Sequence, residues 1–178
     1  MSFITVNAAM AQPAASSKSS PRGSGLGTRV LSALVLIPVV LGLLYLGGLS
    51  FALLIAVVAI LMAGEWDRLT GGAGFGIMGL GTGAALILVL ALGYMGRGDW
   101  ALLALLPGAV VLALLSRFTG QKMTWPVLGL LWLGLPVLAL LVLRMGEGGM
   151  AAVSWLFLSV WSCDTGAYFA GRGIGGPK

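Results

Sequence analysis

The stretch LSFALLIAVVAILMAGEW, residues 49–66, decides the fold of this chain. Its first sixteen residues carry no charge and are almost all apolar. A helix needs about 20 residues to cross the ~30 Å hydrocarbon core of a bilayer, since each residue advances it by about 1.5 Å. The stretch therefore predicts a membrane-spanning helix that ends at Glu65-Trp66.

Similar apolar runs fill most of the chain. The sequence is 59% hydrophobic and only 8% charged, whereas an average chain carries about a quarter charged residues. Glycine pairs or charged residues separate the runs, as turns between spans require. We therefore predict an all-α fold, a polytopic transmembrane helical bundle of about six spans. The predicted spans are residues 30–47, 49–66, 75–95, 100–116, 125–143 and 150–170.

The first 28 residues differ from the rest in composition. They are rich in Ser, Ala, Pro and Gly and cannot form a core, so we expect residues 1–28 to be a disordered cytoplasmic tail. Residues 29–178 are then the transmembrane domain.

The basic residues predict the orientation. With the N-terminus in the cytoplasm and the spans alternating, Arg97 and Arg144 lie in outer loops and the other eight Lys and Arg residues lie inside. This bias follows the positive-inside rule, and we expect a multi-pass protein of a bacterial inner (cell) membrane. The basic residues behind the net charge of +5 are then explained by their roles in setting the topology and contacting anionic lipid head groups, so we expect no nucleic acid partner.

Some chemistries are excluded by residue types that the chain lacks. It has no His, which excludes a Ser-His-Asp triad and a His-ligated metal within these residues. Its only cysteine, Cys163, excludes an internal disulfide and a Cys-cluster zinc site. Carboxylate chemistry must come from five acidic residues.

Two short patterns each allow two interpretations. Gly79 and Gly83 form a GxxxG, which indicates either a tight helix–helix contact or only the glycine-rich background. Residues 65–68, Glu-Trp-Asp-Arg, either place charge beside lipid heads or form a salt-bridged helix end with Trp66 as an interfacial anchor.

Asp164 is the strongest functional candidate, because it interrupts the last apolar run. A carboxylate at the centre of a membrane helix costs about 2.5–3.5 kcal/mol on insertion scales, so such residues usually mark a site. On a helix, Asp164, Tyr168 and Arg172 share one stripe, which we expect to face a cavity at the cytoplasmic end. The alternative is that Asp164 pairs with a basic residue of a neighbouring helix and only fixes packing.

The last eight residues, GRGIGGPK, formally match GxGxxG through Gly171, Gly173 and Gly176. A dinucleotide-binding motif needs a strand before it and a helix after it, and a membrane helix precedes this one. We expect instead a flexible glycine loop that can wrap phosphates with its backbone N–H groups, Arg172 and Lys178. The alternative is a plain cytosolic loop.

Three segments occur in an order that is typical of one enzyme family. They are TRVLSALVLIP at 28–38, EW followed by RL at 65–69, and DTGAYFAGR at 164–172. This order resembles the N-terminal portion of the phosphatidate cytidylyltransferases, also called CDP-diacylglycerol synthases. The likeness extends from about residue 28 to the last residue.

The resemblance implies an activity and its partners. The implied activity is a nucleotidyl transfer from CTP to phosphatidate in phospholipid biosynthesis, carried out in a lipid bilayer. The implied cofactor is Mg²⁺, and a homodimer is one option for assembly. In that family the metal carboxylates lie in a C-terminal part beyond Lys178, with Asp164 as one further candidate ligand. We therefore expect residues 1–178 to be inactive alone.

The resemblance also implies roles for single residues. Asp164 is expected to be catalytic, through a contact with nucleotide or with metal-bound water. The expected substrate-binding residues are Thr165, Tyr168, Gly171, Arg172 and Lys178, with Tyr168 as a pocket wall and the two cations on phosphates. Two alternatives stay open, a small transporter with Asp164 and Arg172 lining a path, and a non-catalytic scaffold that assembles through Gly79 and Gly83.

Overall fold

The structure, a computed structural model, describes residues 24–174. Within that range the chain forms six helices, one at each predicted span, and no strand. The predicted all-α class is confirmed, and most helix ends differ from the predicted ones by only a few residues. The helices are α1 (Ser24–Leu46), α2 (Gly48–Leu69), α3 (Ile77–Tyr94), α4 (Gly98–Thr119), α5 (Thr124–Met145) and α6 (Gly149–Ile174).

Four of these helices, α2 to α5, are long and apolar enough to cross a membrane. The apolar segment described in α1 is shorter, Leu34–Leu46, and α6 is more polar than the other four. The chain is therefore a polytopic helical membrane protein, and membrane crossing by α1 and α6 stays a prediction.

The N-terminal boundary differs from the predicted one. Helix α1 begins at Ser24, so residues 24–28 of the expected tail are helical, while residues 1–23 lie outside the described part. The described chain divides within α1 into two units, of which the first ends at Ile37 and the second begins at Pro38. In the first unit, Leu31, Leu34 and Leu36 are exposed on the helix surface, as side chains that face lipid would be.

In the second unit, α3 and α5 are the interior helices. Each buries 44% of its most apolar 18 residues, compared with 28% in α2 and 22% in α4. The core formed by α2 to α5 contains the fully buried side chains of Phe51, Leu86, Leu112, Leu130 and Leu141. Many other apolar side chains of α2 and α4 are exposed, as expected for helices whose solvent is lipid.

Glycines let these helices approach closely. A Cβ on Gly79 would collide with the Gly74 carbonyl, and one on Gly83 would lie 4.0 Å from Ile60 of α2. The tight contact of this GxxxG is therefore at Gly79, against the loop that follows α2, while Gly83 lies at an ordinary packing distance from α2. Gly79 and Gly83 are both buried there, so they offer no exposed surface for the predicted scaffold assembly.

Polar contacts at the two ends of the bundle join α5 to the end of α2, which runs in the opposite direction, and to the end of α1. At one end, the Trp66 indole of α2 donates a hydrogen bond of 2.9 Å to the Trp125 carbonyl of α5. At the other, the Arg144 guanidinium of α5 donates bonds of 3.0 and 2.8 Å to the Leu44 carbonyl of α1. We call these the Trp66 end and the Arg144 end.

Candidate functional site

The predicted stripe of three functional side chains lies on one continuous helix. Asp164, Tyr168 and Arg172 are four residues apart within α6, and Arg172 Nη1 donates a 3.2 Å hydrogen bond to the Tyr168 hydroxyl. The predicted shared face is therefore confirmed. The bond leaves the other N–H groups of the guanidinium free to meet an anion.

The surroundings of the stripe differ from the expectation. Every described residue of α6 from Val160 onward is exposed, and Tyr168 is 60% exposed. The described helices therefore enclose no cavity around the stripe and line no path beside it. The physical reason is that α6 packs on α5 through its N-terminal half, around the buried Val153, and its other half extends past that contact.

Asp164 has no partner among residues 24–174. The ion pair there joins Arg68 to Glu65, and no hydrogen bond reaches the Asp164 carboxylate. The alternative interpretation, in which a basic residue of a neighbouring described helix fixes Asp164, is therefore wrong for this part of the chain.

The first residues of the predicted glycine loop are helical instead. Helix α6 continues to Ile174, so Gly171 and Gly173 are helical and cannot wrap a phosphate with free backbone N–H groups. A single helical glycine costs only about 1 kcal/mol relative to Ala, which does not end a helix. Thr165 and Gly171 are exposed on α6, and Lys178 lies outside the described residues.

The Trp66 end contains a carboxylate that the sequence interpretation missed. The predicted salt bridge at this helix end is confirmed, since Glu65 pairs with Arg68 on an exposed face. Trp66 is half-buried and hydrogen-bonded to α5, so its role as an interfacial anchor stays a prediction. Asp67 points the other way and is only 4% exposed. Its Oδ1 accepts a 3.0 Å hydrogen bond from Gln121 Nε2, in the segment between α4 and α5.

A glycine-rich loop, residues 70–76, covers Asp67. The Gly72 N–H donates a 2.8 Å bond to the Asp67 backbone carbonyl, and a Cβ on Gly72 would collide with the carboxylate and with the Gln121 amide. Only glycine leaves room at this position. The loop, Asp67, Thr119 and Gln121 line a cavity of about 270 Å³, which we call the Asp67 pocket.

One signal in the sequence could have indicated this burial. Residues two apart on a helix lie about 200° apart around its axis, so Asp67 faces opposite to Glu65 when the Glu65–Arg68 pair faces outward. The partner could not be found in this way, because Gln121 is 54 residues away in an unrelated loop.

Among residues 24–174, no group of three or more acidic or cysteine side chains could hold a metal ion. The described residues alone therefore do not form a complete Mg²⁺ site, although Asp164 can supply one carboxylate.

Comparison with known proteins gives matches along most of the chain. Residues 27–178 match the family model described as the cytidylyltransferase family. A protein of Brucella suis biovar 1 (strain 1330) named phosphatidate cytidylyltransferase is 33% identical over 156 residues, which are 87% of this chain and 57% of that protein. A Pseudomonas aeruginosa (strain PAO1) protein of the same name is 32% identical over 166 residues, 86% of this chain and 60% of that protein. The chain thus spans well over half, but less than two thirds, of these relatives. No solved structure matches it.

Proposed function

The chain belongs to the cytidylyltransferase family, and from that premise we propose that it takes part in making CDP-diacylglycerol and pyrophosphate from CTP and phosphatidate. The observation that carries this proposal is the match to relatives named phosphatidate cytidylyltransferase, over 87% of this chain. The membrane helices suit it, because a diacyl substrate reaches an enzyme most directly within the bilayer.

Catalysis of this reaction depends more on neutralising the charge of the two reactants than on forming covalent bonds between substrate and protein. A phosphate oxygen of phosphatidate attacks the α-phosphorus of CTP, and the bond from that phosphorus to the bridging oxygen breaks as pyrophosphate leaves. Both reactants are strongly anionic, so cations must hold them together and in line for the attack.

The stripe on α6 provides groups of the required kinds. We assign Arg172 to a phosphate, since its guanidinium is oriented by Tyr168 and is otherwise exposed. Tyr168 forms a wall of the substrate site, and Asp164 contacts the nucleotide or a water held by metal. Thr165 and Gly171 flank this stripe, and Lys178 adds a second phosphate contact in the proposal.

The proposed cofactor is Mg²⁺, which when bound would neutralise phosphate charge. It commonly uses one or two carboxylates together with substrate phosphates and water. Asp164 is the candidate carboxylate of this chain, and we propose that other segments of the whole enzyme supply the remaining ligands.

The setting of the site is part of the same proposal. We propose the bacterial inner membrane, with the N-terminus and the Trp66 end in the cytoplasm where CTP is present. Assembly as a homodimer stays a prediction. We also propose that residues 1–178 alone do not complete the reaction, because they correspond to only 57% of the Brucella relative.

The test is CDP-diacylglycerol synthesis from labelled CTP and phosphatidate, with Mg²⁺, in membranes containing the full-length protein. Asp164→Asn should lower kcat/KM at least a hundredfold, since it removes a negative charge from the reacting centre. Glu147→Gln, at an exposed residue of the Arg144 end, is the matched control and should retain activity. Normal turnover by Asp164→Asn would remove Asp164 from the site.

A second measurement addresses the shorter chain and the transporter alternative. Purified residues 1–178 should give no CDP-diacylglycerol under the same conditions, and measurable product would contradict that proposal. CTP should raise the Tm of the full-length protein, whereas a transporter with no nucleotide site predicts no change.

A further inference from the structure

An apolar cavity opens on the surface of the bundle between four helices. Its volume is about 290 Å³, and all the residues that line it are apolar. They come from α1, α2, α5 and α6, all within the unit that begins at Pro38. We call it the apolar cavity, and its wall includes Val40, Phe51, Val58, Pro136 and Phe157.

A second cavity, of about 440 Å³, adjoins the first at the Trp66 end. Met62 lines both, so the two spaces meet at this side chain. The wall of the second cavity also contains the ion pair of Glu65 and Arg68, and residues 73–75 of the loop after α2. We call it the charged cavity. Its two charged side chains are 53% and 69% exposed, so both can meet a ligand.

The two cavities follow one face of α2. Leu54, Val58 and Met62 are four residues apart, and Glu65 and Arg68 continue the row in steps of three. Glu65 follows Leu54 by eleven residues, which is about 16 Å along a helix. One leaflet contributes about 15 Å to the ~30 Å hydrocarbon core. The row therefore has the depth of one leaflet, with its charged groups at the surface end.

The ion pair leaves atoms of both signs available. Arg68 Nη2 donates to Glu65 Oε2, and among residues 24–174 no other hydrogen bond involves either side chain. Glu65 Oε1 and the remaining guanidinium N–H groups can therefore bind a ligand. A phosphate accepts from a guanidinium, and a primary ammonium donates to a carboxylate. A purely anionic head group would instead face the negative charge of Glu65.

We propose that these cavities bind one zwitterionic glycerophospholipid with a primary ammonium, of the phosphatidylethanolamine type. One acyl chain fills the apolar cavity, the phosphate accepts from Arg68, and the ammonium donates to Glu65. The surrounding lipid is as apolar as the cavity, so the chain contributes packing and the head group gives the selectivity. The bound lipid joins the loop after α2 to α5 and α6. Phosphatidate, the proposed substrate, lacks the ammonium and is not the ligand of this site.

The test measures bound lipid and needs no activity assay, so its failure leaves the proposed function untouched. Delipidated full-length protein in detergent micelles is supplied with one of four lipids at equal mole fraction, and native mass spectrometry counts the lipids bound per protein. The lipids are phosphatidylethanolamine, phosphatidylcholine, phosphatidylglycerol and phosphatidate, all with two oleoyl chains. We expect about fivefold more bound phosphatidylethanolamine than any other, the size of one exposed charge contact.

Three variants test the charged cavity. Glu65→Gln leaves Arg68 without its anion, so the preference should shift from phosphatidylethanolamine to phosphatidylglycerol. Arg68→Gln should lower the binding of both lipids. Glu147→Gln removes an exposed carboxylate at the Arg144 end and is the matched control, which should keep the wild-type preference.

A second pair of variants tests the apolar cavity. Val58→Trp fills it and should lower phosphatidylethanolamine binding about fivefold, whereas Val57→Trp, at an exposed neighbour outside the cavity wall, should not. Equal losses in the two variants would overturn the placing of the acyl chain. Equal binding of all four lipids, or a preference for phosphatidate, would overturn the assigned head group. No bound lipid in the wild type would mean that another segment of the whole protein fills the cavities.

Discussion

Replacing Arg144 by Met should destabilise the bundle at the Arg144 end. The guanidinium donates two bonds to the Leu44 carbonyl and one of 3.4 Å to the Tyr45 carbonyl, which are orphan acceptors at the end of α1. Met keeps most of the side-chain length but donates nothing. Hydrogen bonds from a charged group contribute about 1.5–3 kcal/mol each, and those at a shared carbonyl are not additive, so we expect a loss of about 2–3 kcal/mol.

This loss corresponds to a fall in Tm of about 4–12 °C for a chain of this length. Thermal unfolding in detergent, followed by tryptophan fluorescence, measures it without any activity assay. Arg97→Met is the matched control, because Arg97 is exposed and its side chain makes no contact of this kind in the described residues. A Tm for Arg144→Met within 1 °C of wild type would refute the reasoning.

A double-mutant cycle makes the same argument sharper. Gly47 has φ +63°, and a Cβ there would collide with the Arg144 guanidinium. Gly47→Ala should therefore be destabilising both by backbone strain and by displacing Arg144. In the Arg144→Met background only the strain remains, so the cost of Gly47→Ala should be smaller. Equal costs in both backgrounds would show that the two residues do not interact.

Two further predictions concern packing and topology. Gly79→Ala should lower the free energy of unfolding by about 1–3 kcal/mol, and the Tm with it, because its Cβ meets the Gly74 carbonyl. Gly42→Ala, with nothing within 4 Å, should be neutral or stabilising, and equal Tm values for both variants would contradict the packing argument. In a Cys163→Ser background, an impermeant maleimide should label Lys122→Cys only in inverted vesicles and Glu147→Cys only in intact cells, and the reverse pattern would overturn the proposed orientation.

Hydropathy was sufficient to predict the fold, because in a bilayer each span must satisfy its own backbone hydrogen bonds. The positions of α2 to α5 follow from uninterrupted apolar runs, and the α6 stripe follows from helix periodicity alone. Local pattern was less reliable at the ends of helices. Gly171 and Gly173 read as a loop but continue α6, since nothing in the described residues breaks that helix before Ile174.

The features that sequence reasoning missed depend on contacts between distant segments. Arg144 was expected in a solvated outer loop, yet it lies in the last turn of α5, half-buried, because its guanidinium meets α1. Asp67 looked like part of an exposed charged helix end, and only the contact with Gln121 and the covering loop explain its burial. Trp132 and Trp155 lie among Leu and Val in the sequence, yet each is 73% exposed, as lipid-facing aromatic side chains can be.

The contact between Arg144 and Leu44 also has a consequence for biogenesis, because 100 residues separate the two in sequence. A ribosome adding about 5–20 residues per second needs about 5–20 s to synthesise that interval. During this time the final carbonyls of α1 have no guanidinium to meet and must be hydrated at the membrane surface. The end of the first helix therefore gains these hydrogen bonds only after the fifth helix has been inserted. A defect in the insertion of the fifth helix would leave the last carbonyls of the first helix without their donor.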